Sequence, residues 1–237
     1  MTLYDFQRAL ADCVADGSLR DAARQAPDTA LAGYALSPRE RARLAAAVAH
    51  PGMPVTVGLY RANRLTVIHG SLPLTCTLLG DMLRAVVDAY WAHGAPPDLQ
   101  HASEAARFAE FLRARLEVLG VPWLAEVLAF EMAALELTLP AAPQPPSASG
   151  ARLHPRVRLV RFGTAPDVLL ARVAATQPTD DLVPAERWLL LDGRSGAVEA
   201  RELTTVMGWT LAAVSAGATP GSAAFDALVA AGVVSER

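Results

Sequence analysis

Residues 187–202 read RWLLLDGRSGAVEARE, and this stretch decides the fold class. Arg187-Trp188-Leu189-Leu190-Leu191-Asp192 is a short apolar run bounded by turn residues, the pattern of a strand. Gly193-Arg194-Ser195-Gly196 follows as a hairpin turn, with glycine supplying a positive φ where the backbone needs one. Residues 197–202 return as the partner strand. Upstream, residues 153–162 set Val157, Leu159 and Arg161 against Arg158, Val160 and Phe162. That alternation predicts a strand with arginine on at least one exposed side. Residues 167–175 are apolar and β-branched enough for another strand, with a short helix as the alternative. Downstream, residues 204–216 and 222–231 read as helices. Strands, a hairpin and then two helices describe a small α+β module.

The chain ahead of this module has a helical period. Residues 3–15 place Leu3, Phe6, Leu10 and Val14 about 3.6 residues apart. Ser37-Pro38-Arg39-Glu40 is a helix start, with Ser as the cap, Pro at the first helical position and an acid at the third. That helix, 39–49, ends before Pro51-Gly52, and a third helix runs over 57–70. Leu72-Pro73 restarts the chain into 74–92, interrupted at Gly80-Asp81. After a loop at 94–97, residues 103–119 form an amphipathic helix with Phe108, Phe111 and Leu112 on one face, and 123–137 form another. Between the two regimes lies PAAPQPPSASG, residues 140–150, whose four prolines exclude a helix or a central strand. The expected organisation is a helical domain at 1–139, a Pro-rich linker at 140–151 and an α+β domain at 152–237.

Composition narrows the function classes. The 237 residues suffice to bury a core, and 52% are hydrophobic. All 21 basic residues are arginine, so lysine Schiff-base chemistry and a P-loop lysine are excluded. A net charge of −3 gives no global electrostatic case for nucleic acid. An acid and an arginine fall too early in MTLYDFQRAL for a signal peptide, and no apolar run is long enough to span a bilayer. Cys13 and Cys76 read as free thiols in a reducing cytoplasm.

Catalytic signals are sparse. His50, His69, His93, His101 and His154 are scattered without metal-ligand spacing. A Cys76–His69 pair is conceivable, against the plainer reading of Cys76 as a small buried hydrophobe. Glu126, Glu131 and Glu136 lie five apart, a spacing that rotates around a helix instead of stacking two carboxylates. Neither a Gly-x-Ser-x-Gly elbow nor a dinucleotide fingerprint is present. Arg152, Arg156, Arg158 and Arg161 form a local basic cluster, and the strand–helix order hints at a winged helix. The supposed recognition helix, LTTVMGWTLAAVSA, is uncharged and lacks the side chains that read base edges. Peptide binding remains, because a small sheet with open edges can accept an extended peptide as an added strand. Arginine beside such an edge suits an acidic peptide, or else merely solvates the sheet.

Several short motifs stand in a particular order: Tyr60-Arg61-Ala62-Asn63, Leu72-Pro73, Leu79-Gly80, residues 124–131 as LAEVLAFE, and Leu153-His154-Pro155. Together they resemble a bacterial family long labelled "putative DNA-binding domain". Its members are similar to the partner subunits of multinuclear non-haem iron-dependent oxidases, the methanobactin oxidase partner among them. The likeness covers roughly residues 55–230 by order of elements. It implies a non-catalytic protein that binds the leader of a ribosomally made precursor peptide. It further implies that this protein presents the core peptide to the oxidase, which modifies a residue, often cysteine. The iron belongs to the oxidase, and no cofactor is implied for this chain. By the resemblance, Tyr60, Arg61, Asn63 and Pro73 shape an oxidase-facing or scaffolding hairpin. Arg158 and Arg161, with the strand Arg187, Trp188, Leu189, Leu190 and Leu191, are the expected peptide-binding residues. The sequence departs from the family pattern at Leu72, where an aromatic is usual, and in a longer segment at 33–54. A DNA-binding regulator is the alternative expectation.

Overall fold

The computed structural model describes residues 3–93, 101–139 and 151–235, so the linker at 140–150 and the loop at 94–97 lie outside the described residues. Short-range signals set most helix boundaries. Helices α1 (Leu3–Ala15) and α2 (Gly17–Gln25) meet at Asp16, whose carboxylate accepts from the N–H groups of Ser18 and Leu19. Next come α3 (Pro27–Ala30) and α4 (Pro38–Ala49). The start of α4 is a complete capping box, with Ser37 accepting from the Glu40 N–H and Glu40 accepting from the Ser37 N–H. Helix α5 (Met53–Ser71) begins four residues earlier than its expected start at 57. After Leu72 the chain forms α6 (Pro73–Leu79), a 3-10 turn (Gly80–Met82) and α7 (Leu83–Ala92). Gly80 ends α6 at φ +48, a conformation that side-chain-bearing residues avoid. The expected helix at 103–119 is two, α8 (His101–Arg113) and α9 (Leu116–Leu119), before α10 (Leu124–Thr138).

The chain divides into two compact units: Met1–Gly70 with Asp81–Phe108, and Ser71–Gly80 with Ala109–Arg237. This division differs from the expected boundary at the linker. The reason lies in α10, which buries Leu124, Val127, Leu128, Met132, Ala133 and Leu137. A helix so apolar has to be covered on more than one side. In the first unit, Ala9, Cys13, Leu31, Leu44, Val48 and Met53 share a core drawn from α1 to α5.

The second unit holds a three-stranded antiparallel sheet and a separate two-stranded pair. Strand β1 (Arg152–Leu153) pairs with β5 (Val234–Ser235), a pairing that the sequence pattern does not signal. Strands β2 (Val157–Phe162), β3 (Arg187–Asp192) and β4 (Glu199–Leu203) form the main sheet, and Gly196 at φ +95 serves the β3–β4 hairpin. Helices α11 (Pro166–Ala174), α12 (Thr205–Ser215) and α13 (Ala223–Ala230) complete the unit. Residues 167–174 are therefore helical and not a strand, and Ala175 caps the helix. Pro166 at the first helical position and Asp167 in the first turn start α11, and these signals outweigh its valines.

The period of two divides the sheet between two cores. Val160, Phe162, Leu189 and Leu191 pack with Val127 and Leu137 of α10 and Leu169 and Val173 of α11. Val157, Trp188, Leu190 and Leu203 pack with Leu211 and Val214 of α12 and with Phe225 and Leu228 of α13. Helices thus cover both faces. Each buried leucine of β3 contributes about 2 kcal/mol of transfer free energy. Among the described residues, no helix is long and apolar enough to cross a membrane.

Candidate functional site

Strand β3 is not an edge. It lies between β2 and β4, so its backbone groups serve two ladders. Trp188, Leu189, Leu190 and Leu191 are at most 7% exposed, because alternate side chains enter the two cores. These four residues and the β3 backbone cannot receive a peptide, which corrects the expectation placed on them. Arg187 at the strand's start is exposed and lies 3.4 Å from Glu202. Among the described residues, the open edges of the main sheet are β2 and β4.

The two edges differ in charge. Residues 151–162, which end in β2, hold four arginines and no carboxylate, whereas β4 holds Glu199, Arg201 and Glu202. On β2 the arginines fall on opposite faces. Arg158 Nε donates to Glu136 of α10 at 2.8 Å, and its Nη1 donates to the carbonyls of Pro155 and Val157. Arg161 Nε lies 2.7 Å from Glu186 Oε1, and its guanidinium carbon stands 5.9 Å from the Trp188 ring centroid and 5.6 Å from that of Trp209. The two indoles meet edge to face at 5.4 Å.

Trp209 sits on α12 and is 50% exposed, with Val206 one turn earlier at 66%. Gly208 makes the arrangement possible. A Cβ built there would lie 2.1 Å from Trp188 Cγ, so only glycine lets α12 settle on that ring. Trp188 Nε1 is buried without a hydrogen-bond partner. Sequence reasoning finds Arg161 but misses Trp209 and Glu186. A lone tryptophan in an uncharged helix reads as core, and only the position of Gly208 turns it outward.

The helical residues have a different character. Arg61 and Asn63 on α5 are exposed, and Arg61 stands 5.4 Å from the Trp91 ring centroid and 3.9 Å from Asp88. Tyr60 is half-buried, and burial pushes its hydroxyl pKa up. The residue that organises this region is Arg64, which no sequence motif singles out. It is 4% exposed, pairs with Glu104 at 2.8 Å, and lies 5.3–5.6 Å from the ring centroids of Tyr60, Tyr90 and Trp91. Met53, Tyr60, Arg64 and Ile68 follow a helical spacing, so a cation on that stripe is the signal that could have found it.

Pro73 is exposed at the first position of α6. Leu74 and Thr75, the next two residues, donate their N–H groups to the Glu131 carboxylate at 2.6 and 2.8 Å. The Leu-Pro step and the LAEVLAFE segment are therefore two halves of one helix cap. Glu131 acts here as a structural acceptor.

Cys76 is 3% exposed, and burial first, then Glu131, push its thiol up to about 12. A thiol so protonated is no nucleophile near neutral pH. Among the described residues, no three His, Cys, Asp or Glu side chains gather as a metal site. No protein-family model matches the chain, and no curated protein matches it.

Proposed function

We propose that this protein is a non-catalytic partner that binds the leader of a ribosomally made precursor peptide and presents its core to an iron-dependent oxidase. The observation that carries the reading is an open, arginine-bearing edge strand, β2, beside a half-exposed tryptophan. An extended peptide added there gains main-chain hydrogen bonds, while the flanking side chains choose its sequence. Holding the core peptide at the oxidase raises its effective concentration at the metal, which is the benefit a partner without catalytic groups can give. Charge supports β2 over β4 as the receiving edge. The order of the helical motifs supports the oxidase as partner, and the exposed Arg61, Asn63 and Pro73 are the residues the resemblance assigns to it.

The test is reconstitution with a candidate iron-dependent oxidase and a candidate small peptide from neighbouring open reading frames. The expected results are a stable complex with the oxidase and a mass change in the peptide only when all three components are present. Salt-sensitive binding to duplex DNA without any oxidase complex would sink the reading in favour of a regulator. The uncharged α12 gives that alternative no support.

A further inference from the structure

We infer that Arg161 and Trp209 read the leader through a carboxylate and an aromatic or large aliphatic side chain two positions apart. The inference rests on the leader-binding reading above. Side chains at i and i+2 of an added strand share a face, and a strand paired to β2 lies about 4.8 Å from it. The face in question carries Val157, Leu159 and Arg161, since Arg161 stands opposite Trp188 and both indoles lie on that side.

Three observations converge on this face. First, the Arg161 side chain is 61% exposed, whereas that of Glu186 is 29% exposed and its Oε1 is buried. An exposed guanidinium has further N–H donors turned to solvent, so a peptide carboxylate can join Glu186 at it without displacing it. Second, Trp209 and Val206 expose a contiguous apolar strip on α12, and tryptophan beside arginine is the usual composition of a binding hot spot. Third, the buried Trp188 Nε1 has no acceptor, so the cluster holds a donor that the protein itself leaves unanswered. The four arginines of 151–162, with no carboxylate among those residues, favour an acidic ligand even with Glu136 and Glu186 facing two of them. The β4 edge offers no equivalent, because its two glutamates outnumber its one arginine.

Fluorescence anisotropy with labelled synthetic peptides tests the inference. Four short β-prone peptides differ only at the reading positions: Glu-x-Phe, Gln-x-Phe, Glu-x-Ala, and a version with Glu and Phe adjacent. Each is titrated with the wild type and with the Arg161→Gln, Trp209→Ala, Trp209→Phe and Arg201→Gln variants. The expected result is tightest binding of Glu-x-Phe, with about a tenfold loss for each of the other three. The Gln penalty should vanish in Arg161→Gln and the Ala penalty in Trp209→Ala, while Trp209→Phe keeps most of the affinity and Arg201→Gln keeps all of it. Circular dichroism checks that each variant is folded. Equal or absent binding of all four peptides overturns the inference, as does a loss confined to Arg201→Gln. If a leader and oxidase that complex with the wild type bind normally to Arg161→Gln and Trp209→Ala, this inference fails while the partner reading stands. Selective peptide binding with no oxidase complex upholds the recognition by Arg161 and Trp209 and overturns the partner reading instead.

Discussion

Two arginine–glutamate pairs in this molecule have nearly the same length and opposite meanings. Arg64 and Glu104 lie 2.8 Å apart with side chains 5% and 4% exposed, whereas Arg161 and Glu186 lie 2.7 Å apart at 61% and 29%. Distance does not separate them; solvent does. A buried guanidinium cannot shed its carboxylate without stranding a charge in a low-dielectric interior. An exposed one keeps part of its hydration and donors free for water or for a second acid, so its pair is worth little. The first pair fixes aromatic rings in the helical unit, and the second leaves its arginine open to solvent.

The sharpest way to break this contrast is to remove one partner of the buried pair. Glu104→Ala should destabilise the protein by about 3–5 kcal/mol in urea denaturation, because Arg64 is left charged and enclosed. If Arg64→Met combined with Glu104→Leu is as damaging as the single change, a stranded charge is not the cause. A smaller loss follows from pressing on the platform beneath the exposed pair. Gly208→Ala should cost about 1–3 kcal/mol, since its methyl would overlap Trp188, and near-ultraviolet circular dichroism should report the displaced indoles. Replacing Glu131 by Ala removes the acceptor for two α6 N–H groups and should cost about 1–2 kcal/mol by the same denaturation measurement. Arg161→Ala sits at the bottom of the series. Its effect on stability should stay within about 1 kcal/mol, and a larger loss would mean that the edge pair is structural after all.

The contrast also shows what a sequence makes legible. RWLLLD announces a strand, and its unbroken apolar run accords with the burial on both faces that the structure shows. What it does not say is which neighbours flank it, because register depends on residues far away in the chain. The Ser37 capping box and the 193–196 turn are legible because their chemistry is complete within a few residues. Helix α11 is ambiguous because its start signals and its valines pull in opposite directions, and the start at Pro166 and Asp167 prevails. The attachment of α10 to the sheet is hidden, since an apolar helix does not name its partner. At the candidate site, Arg161 is visible as a strand cation. The role of Trp209 depends on one glycine fitting over one ring, which only three-dimensional placement reveals.

The cap on α6 has a consequence in time. Its two hydrogen bonds reach 57 and 56 residues along the chain to Glu131. A seven-residue helix is too short to persist alone in water, so residues 73–79 gain a stable N-terminus only after α10 exists. During synthesis from the N-terminus, this segment leaves the ribosome before its acceptor does. The helix so defined is a late product of assembly, waiting on a carboxylate that has yet to emerge, and every pause between the two is an interval in which it is exposed to chaperones and proteases.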